Sequence, residues 1–272
     1  MQPTRLPQTP HGLAHLPAPE RVSPYRSLSW LLAGWRMFAA RPAEWILLAL
    51  GCFSMLAVAT LLVPIPLIGP ILPPLLLSLL MGGLINAANR QAEGGMPRFE
   101  DLFSGFRLHA GNLTLVGLFY AIPLVILHLL VYIALSGSLL VSLFGDSLGS
   151  TINSMAADVV GMLADLGIAL AVFLLLWGMM MLALLLAPAL IMRDNAPSFD
   201  AMRLSLSASL RNPGAMFLLA VILYLLFVLA LLPAGLGILV YIPVVVGAIA
   251  AARRELFQPA PPLTRLGKGE GN

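Results

Sequence analysis

The sequence predicts an all-α fold, a polytopic transmembrane helix bundle of six spans with about three amphipathic helices at its cytoplasmic interface. Three observations predict it. Of 272 residues, 60% are apolar and 10% charged, with a mean hydropathy of +0.95; a soluble domain carries roughly 25% charged residues. So little charge could not cover a water-soluble surface, and the chain needs lipid as its solvent. Six apolar runs approach the roughly 20 residues that cross a hydrocarbon core. All 15 Lys and Arg residues fall on one side of a six-span arrangement.

Residues 1–27 hold Pro3, Pro7, Pro10, Pro17, Pro19 and Pro24 and no apolar core, so they read as a disordered cytoplasmic tail rather than a signal peptide. Residues 258–272 read the same way, leaving 28–257 as the membrane domain. The spans are 45–63, 67–88, 113–135, 166–192, 215–232 and 236–252. Val63-Pro64-Ile65-Pro66 and Pro233-Ala234-Gly235 leave room only for tight hairpins, since Pro ends one helix and suits the first turn of the next.

Basic residues orient the chain. Arg5, Arg21, Arg26, Arg36 and Arg41 precede the first span, and Arg90, Arg98 and Arg107 follow the second. Arg193, Arg203 and Arg211 follow the fourth, and Arg253, Arg254, Arg265 and Lys268 follow the sixth. The opposite side carries Asp146, Asp158 and Asp165. The expected location is a bacterial inner membrane, multi-pass, with both termini cytoplasmic.

Three basic-side segments repeat apolar residues at helical spacing: Leu28, Leu31, Leu32, Trp35, Phe38 and Ala39; Phe99, Leu102, Phe103 and Phe106; Phe199, Met202, Leu206 and Leu210. Each is followed by a break and then a span, as expected of helices lying in the headgroup plane, aromatic face down. Trp35, Arg41, Trp45, Phe103, Phe106, Arg107 and Arg211 are the expected interface residues. Pro97-x-Phe99-Glu100 reappears as Pro197-x-Phe199-Asp200, and the Pro64/Pro74 spacing recurs as Pro233/Pro243. Two readings stand: three units near 28–90, 98–193 and 198–254, each an interfacial helix plus a hairpin, or chance in a biased composition. The connection 136–165 reads either as an outer interfacial helix or as an extension of the fourth span.

Gly34-Trp35-Arg36-Met37-Phe38, Arg41-Pro42, Met81-Gly82-Gly83-Leu84, Phe99-Glu100-Asp101-Leu102-Phe103-Ser104-Gly105-Phe106-Arg107 and Pro188-Ala189-Leu190-Ile191 carry a resemblance. Over 28–257 the chain resembles a family of uncharacterised multi-pass inner-membrane proteins of proteobacteria. Its layout is similar to the membrane domain attached to some glycerophosphodiester phosphodiesterases, whose soluble catalytic barrel has no counterpart here. The resemblance implies a membrane fold and carries no activity.

The chemistry-bearing residues are few. His128 is the only ionisable side chain well inside a span, a functional candidate by position, though a neutral His also hydrogen-bonds across helix pairs. Asn86 and Asn89 close the second span and read most simply as a helix end. Ser136-Gly137 does not make a serine-protease pair with His128: at 1.5 Å per residue the two lie about 12 Å apart, beyond proton-transfer reach. The lone Cys52 excludes an internal disulfide and a thiolate cluster. With a net charge of +3 and its basic residues beside spans, nucleic acid is not an expected partner. No catalytic, cofactor or metal site is expected. The expectation is therefore a non-enzymatic membrane protein acting through membrane lipids or other membrane proteins. A transporter or channel for a small solute is the alternative.

Overall fold

A computed structural model describes residues 19–65, 68–144, 177–178 and 180–257, with the backbone alone at 127–128 and 130–144. Among the described residues the fold is all-helical: α1 (Arg26–Ala40), α2 (Pro42–Thr60), α3 (Ile68–Ala92), a 3-10 turn (Phe99–Phe103) leading into α4 (Ser104–Leu108), α5 (Ala110–Phe144), α6 (Ala187–Asp194), α7 (Ser198–Arg211), α8 (Pro213–Leu231) and α9 (Ile238–Phe257). Three of these, α2, α3 and α8, are long and apolar enough to cross a membrane. The pair Phe99–Leu108 and Ala110–Ile126, bent by 92°, would make a fourth. In α9, residues 238–252 are uncharged before Arg253-Arg254-Glu255 interrupts the apolar stretch.

A short helix, a one-residue elbow and a long helix recur in order. The elbows are Arg41 (φ −148°, ψ 63°), His109 (φ −137°, ψ 36°) and Asn212 (φ −128°, ψ 52°). Each elbow carbonyl accepts the N–H four residues on, from Trp45 (3.3 Å), Leu113 (3.0 Å) and Met216 (3.0 Å), and all three donors belong to buried residues. An elbow of this kind has left helical φ/ψ while its carbonyl already serves the new helix. Pro42 and Pro213 occupy the first turns beyond, where a missing N–H costs nothing.

The units interlock head to tail. α3 packs on the 3-10 turn and α4, α6 packs on α7, and α9 packs along α1. Small residues set each crossing, because they let backbones approach closely. A Cβ on Gly34 would stand 2.2 Å from the Val244 carbonyl oxygen, and one on Gly247 2.5 Å from Gly34 Cα. A Cβ on Gly105 would meet the Leu79 carbonyl oxygen at 2.1 Å, and one on Gly83 that of Leu102 at 2.0 Å. At the third crossing Ser205 Oγ donates to the Leu182 carbonyl (2.8 Å) and accepts the Leu186 N–H (3.0 Å). It thus inserts between two groups that a regular helix joins directly, and the backbone bends at Leu186 before Pro188.

Some boundaries differ from expectation. Helix α5 runs on to Phe144, so the first part of the 136–165 connection is helical; residues 145–165 lie outside the described set. In the Pro64–Pro74 stretch, turns fill 61–64 and helix begins at Ile68, taking Pro70, Pro73 and Pro74 into α3. The last hairpin turns through Ala234 (φ 52°) and Gly235 (φ 81°), and only Gly holds the second angle without strain.

The short helices α7 and α1 bury different faces, mainly small and polar in α7 and partly aromatic in α1. α7 covers Ser198, Ala201, Ser205, Ala208 and Ser209 and leaves Phe199 63% and Leu210 53% exposed. α1 covers Ser27, Trp30, Gly34 and Phe38 and leaves Leu28, Leu32 and Trp35 about half exposed, at 50%, 46% and 50%. The expected stripe on α1 is thus divided between protein and surroundings. Large side chains facing outward suit an apolar medium and not water.

Gly34→Ala is expected to destabilise the fold by about 1–3 kcal/mol, because the neighbouring atoms are backbone and cannot yield. Gly111→Ala, with nothing within 4 Å, is expected to gain about 0.5–1 kcal/mol. Opposite shifts in thermal unfolding of the two purified variants would verify both; equal shifts would contradict the close approach.

Candidate functional site

Polar groups converge where the second helix of each unit ends. In the first cluster Asp101, almost fully buried, pairs with Arg90, whose Nη2 lies 2.8 Å from Oδ1, and accepts the Arg98 N–H at 2.9 Å. Asp101 returns its own N–H to the Arg98 carbonyl at 2.9 Å, which fixes the start of the 3-10 turn. In the second, Arg253 of α9 grips Asp194 with two nitrogens, its Nε at 3.0 Å from Oδ2. Both side chains are nearly buried, at 8% and 12% exposure. Burial pushes the Asp194 carboxyl above the ordinary carboxylate range, opposed by the charge and hydrogen bonds of Arg253 and by the charge of Arg193. A carboxyl raised on folding contributes stability below its unfolded pKa and loses it as pH rises through its folded pKa. A buried pair of this kind specifies geometry more than it adds stability. Burial lowers the Arg254 guanidinium, helped by Arg193 and Arg253 nearby.

The third cluster ties the first helix to the last. Glu255 accepts from Arg26 Nε and, at 2.8 Å, from the indole Nε1 of the buried Trp30. The hydrogen bond to Glu255 raises the Arg26 pKa. From there α1 runs antiparallel to α9, reaching Val244 and Gly247 at Gly34.

Beside that contact lies a groove of about 510 Å³, walled by α1 on one side and by the α8–α9 hairpin on the other. Its walls are apolar or aromatic, with Leu28, Leu32 and Trp35 facing Leu226, Leu229 and Val240. A smaller groove of about 350 Å³ lies between α3 and α5, around Ile71, Phe119 and Ile122.

Of the residues expected from sequence, Trp35 lines the large groove. Trp45 departs from its expected interfacial place. It is fully buried, and its Nε1 donates to Gln91 Oε1 at 2.6 Å while Gln91 Nε2 donates to the Met37 carbonyl at 2.9 Å. It therefore clamps α1, α2 and α3 together. Arg41 is the first elbow, 3.7 Å from Glu44. Phe103 and Phe106 are half-buried with ring centres 6.3 Å apart, and Arg107 donates to the Glu100 carbonyl at 3.0 Å. Arg211 donates to the Pro19 carbonyl at 3.0 Å, holding the segment before α1 beside the third elbow. Asn86 reaches Asp101 at 3.5 Å, and Asn86 and Asn89 lie within α3, which continues to Ala92. His128 lies on helical backbone in α5, with its side chain outside the described set.

Periodicity alone had no means of finding Asp194, Arg253, Glu255 or the groove wall on α8. Pairing across the ring follows from the order in which units meet. Among the described residues no group of three His, Cys, Asp or Glu side chains could hold a metal ion. Comparison with protein-family models, curated proteins and solved structures finds no match.

Arg253→Met is expected to cost about 3–5 kcal/mol by leaving Asp194 buried without its partner. The double variant Arg253→Met/Asp194→Leu should recover most of that loss. Denaturant titration of the three proteins measures the coupling, and purely additive losses would show that the pair does not act as a unit.

Proposed function

We propose that this chain is a six-span integral protein of a bacterial inner membrane, with both ends cytoplasmic, that works through membrane lipids rather than by catalysis. The observation that carries the reading is the apolar groove on the flank of α1, α8 and α9, with Leu28 and Leu229 on its walls 50% and 59% exposed. A groove of this kind beside a helix long enough to cross a membrane faces acyl chains. The 3-10 turn with α4, and α7, with large apolar side chains outward and basic residues close by, suit the headgroup region of the cytoplasmic leaflet, while α1 reaches along α9 to Val244.

Transport of a small solute is the second reading. The bend at Leu186 before Pro188, and prolines inside α3, α5 and α9, favour it, since transporters build sites at broken helices. Against it, both grooves described above have apolar walls and offer a polar solute no set of partners.

Reporter fusions at Ser147 and Gln258 are expected on opposite faces of the membrane, and finding both on one face would rule out six spans. In a Cys52→Ala background, His128→Cys should resist a membrane-impermeant thiol reagent from either side, while Ser147→Cys reacts. Labelling at 128 would reveal a water path and put transport first. The purified chain should also retain phospholipid in native mass spectra.

A further inference from the structure

We infer that the groove between α1 and the α8–α9 hairpin holds one acyl chain of an anionic membrane phospholipid. The inference rests on the lipid reading above and adds the place, the part of the lipid and the headgroup charge.

The argument comes from comparing the three junctions. At two of them an aromatic side chain from the start of the short helix lies against the first long helix of the preceding unit. The Phe99 ring covers Gly51 of α2, where an added Cβ would meet its Cε2 at 2.6 Å. The Phe199 ring packs edge-on against Phe119 of α5, with centres 5.8 Å apart. At the third junction the short helix is α1 and the long helix is α8. Leu28 precedes the elbow Arg41 by the same spacing as Phe199 precedes Asn212. A leucine thus stands where its counterpart is phenylalanine, and the groove lies between it and Leu226 and Leu229. The protein's own side chains show what this position accepts, an apolar group laid against the long helix. At about 510 Å³ the space falls within the usual range of small-molecule sites.

Inside a bilayer an acyl chain gains nothing merely by leaving water, so occupancy has to come from shape and headgroup charge. Charge is available. Arg36 follows the groove-lining Trp35 on α1, is exposed, and makes no ion pair among the described residues. An exposed cation one residue beyond the groove wall complements a lipid carrying a phosphate and net negative charge.

The test uses the full chain in nanodiscs with phosphatidylglycerol carrying a mid-chain diazirine, followed by peptide mapping after illumination. Saturable adducts are expected within 28–35 and 226–230, several-fold above those at Phe217 and Tyr224, which are 72% and 67% exposed on α8. The same probe on phosphatidylcholine should label the groove less. Leu28→Phe, which copies Phe199 at its junction, and Val240→Trp, which fills the opposite wall, should each remove most of the saturable labelling while thermal unfolding stays cooperative. Labelling spread evenly over α8 and unchanged in both variants would overturn the inference, and if native spectra still show retained phospholipid the lipid reading survives it. Absence of any retained lipid, together with aqueous labelling of His128→Cys, would overturn both.

Discussion

Gly34 and Gly247 bring the backbones of the first and last helices into direct contact, and a single Cβ on either residue would collide with main-chain atoms. That contact holds α1 along α9, sets Trp30 and Arg26 on Glu255, and closes a chain of units that would otherwise end open. The large groove has α1 as one wall, so it exists only while this contact is made. Dispersion between closely approached backbones is a main source of helix association where the surroundings are as apolar as the helices. Small residues at all three crossings fit that constraint.

The same solvent explains the polar groups. Ser78 Oγ donates to the Leu113 carbonyl, Ser198 Oγ to that of Asn112, and Ser205 bridges Leu182 and Leu186, so each of these buried hydroxyls has a main-chain partner. The buried carboxylates are gathered at the basic end. Asp101 meets Arg90 between the first and second units, and Asp194 meets Arg253 between the second and third. Glu255 meets Arg26 between the third and first. Of these three pairs only Arg253–Asp194 is buried on both sides; such a pair is costly to form and more costly to break, which suits it to fixing how α6 seats on α9.

Much of this was legible in the sequence because hydropathy and basic residues report directly on lipid. Apolar runs at 45–63 and 215–232 lie close to α2 (Pro42–Thr60) and α8 (Pro213–Leu231). Helical spacing located the three short helices, and Arg41-Pro42 and Asn212-Pro213 marked two of the elbows. The third, His109, has no proline, and only its backbone angles reveal the match. A stripe on a helical wheel does not say which half meets protein, so Trp35 and Trp45 read alike although one lines a groove and the other is wholly buried. Crossings at Gly34 and Ser205, and the ion pairs across the ring, join residues far apart in the chain. A periodic pattern carries no information about such pairs.

The most direct measurement asks whether α1 lies along the last hairpin in a native membrane. Leu31→Cys and Val244→Cys, on facing walls of the groove, would be combined in a Cys52→Ala background and treated with a short membrane-permeant bis-maleimide. The account requires a cross-linked peptide joining residues 31 and 244 within one chain. Reaction of both cysteines with separate reagent molecules and no link between them would mean that α1 lies elsewhere, and the groove with its proposed lipid would fall.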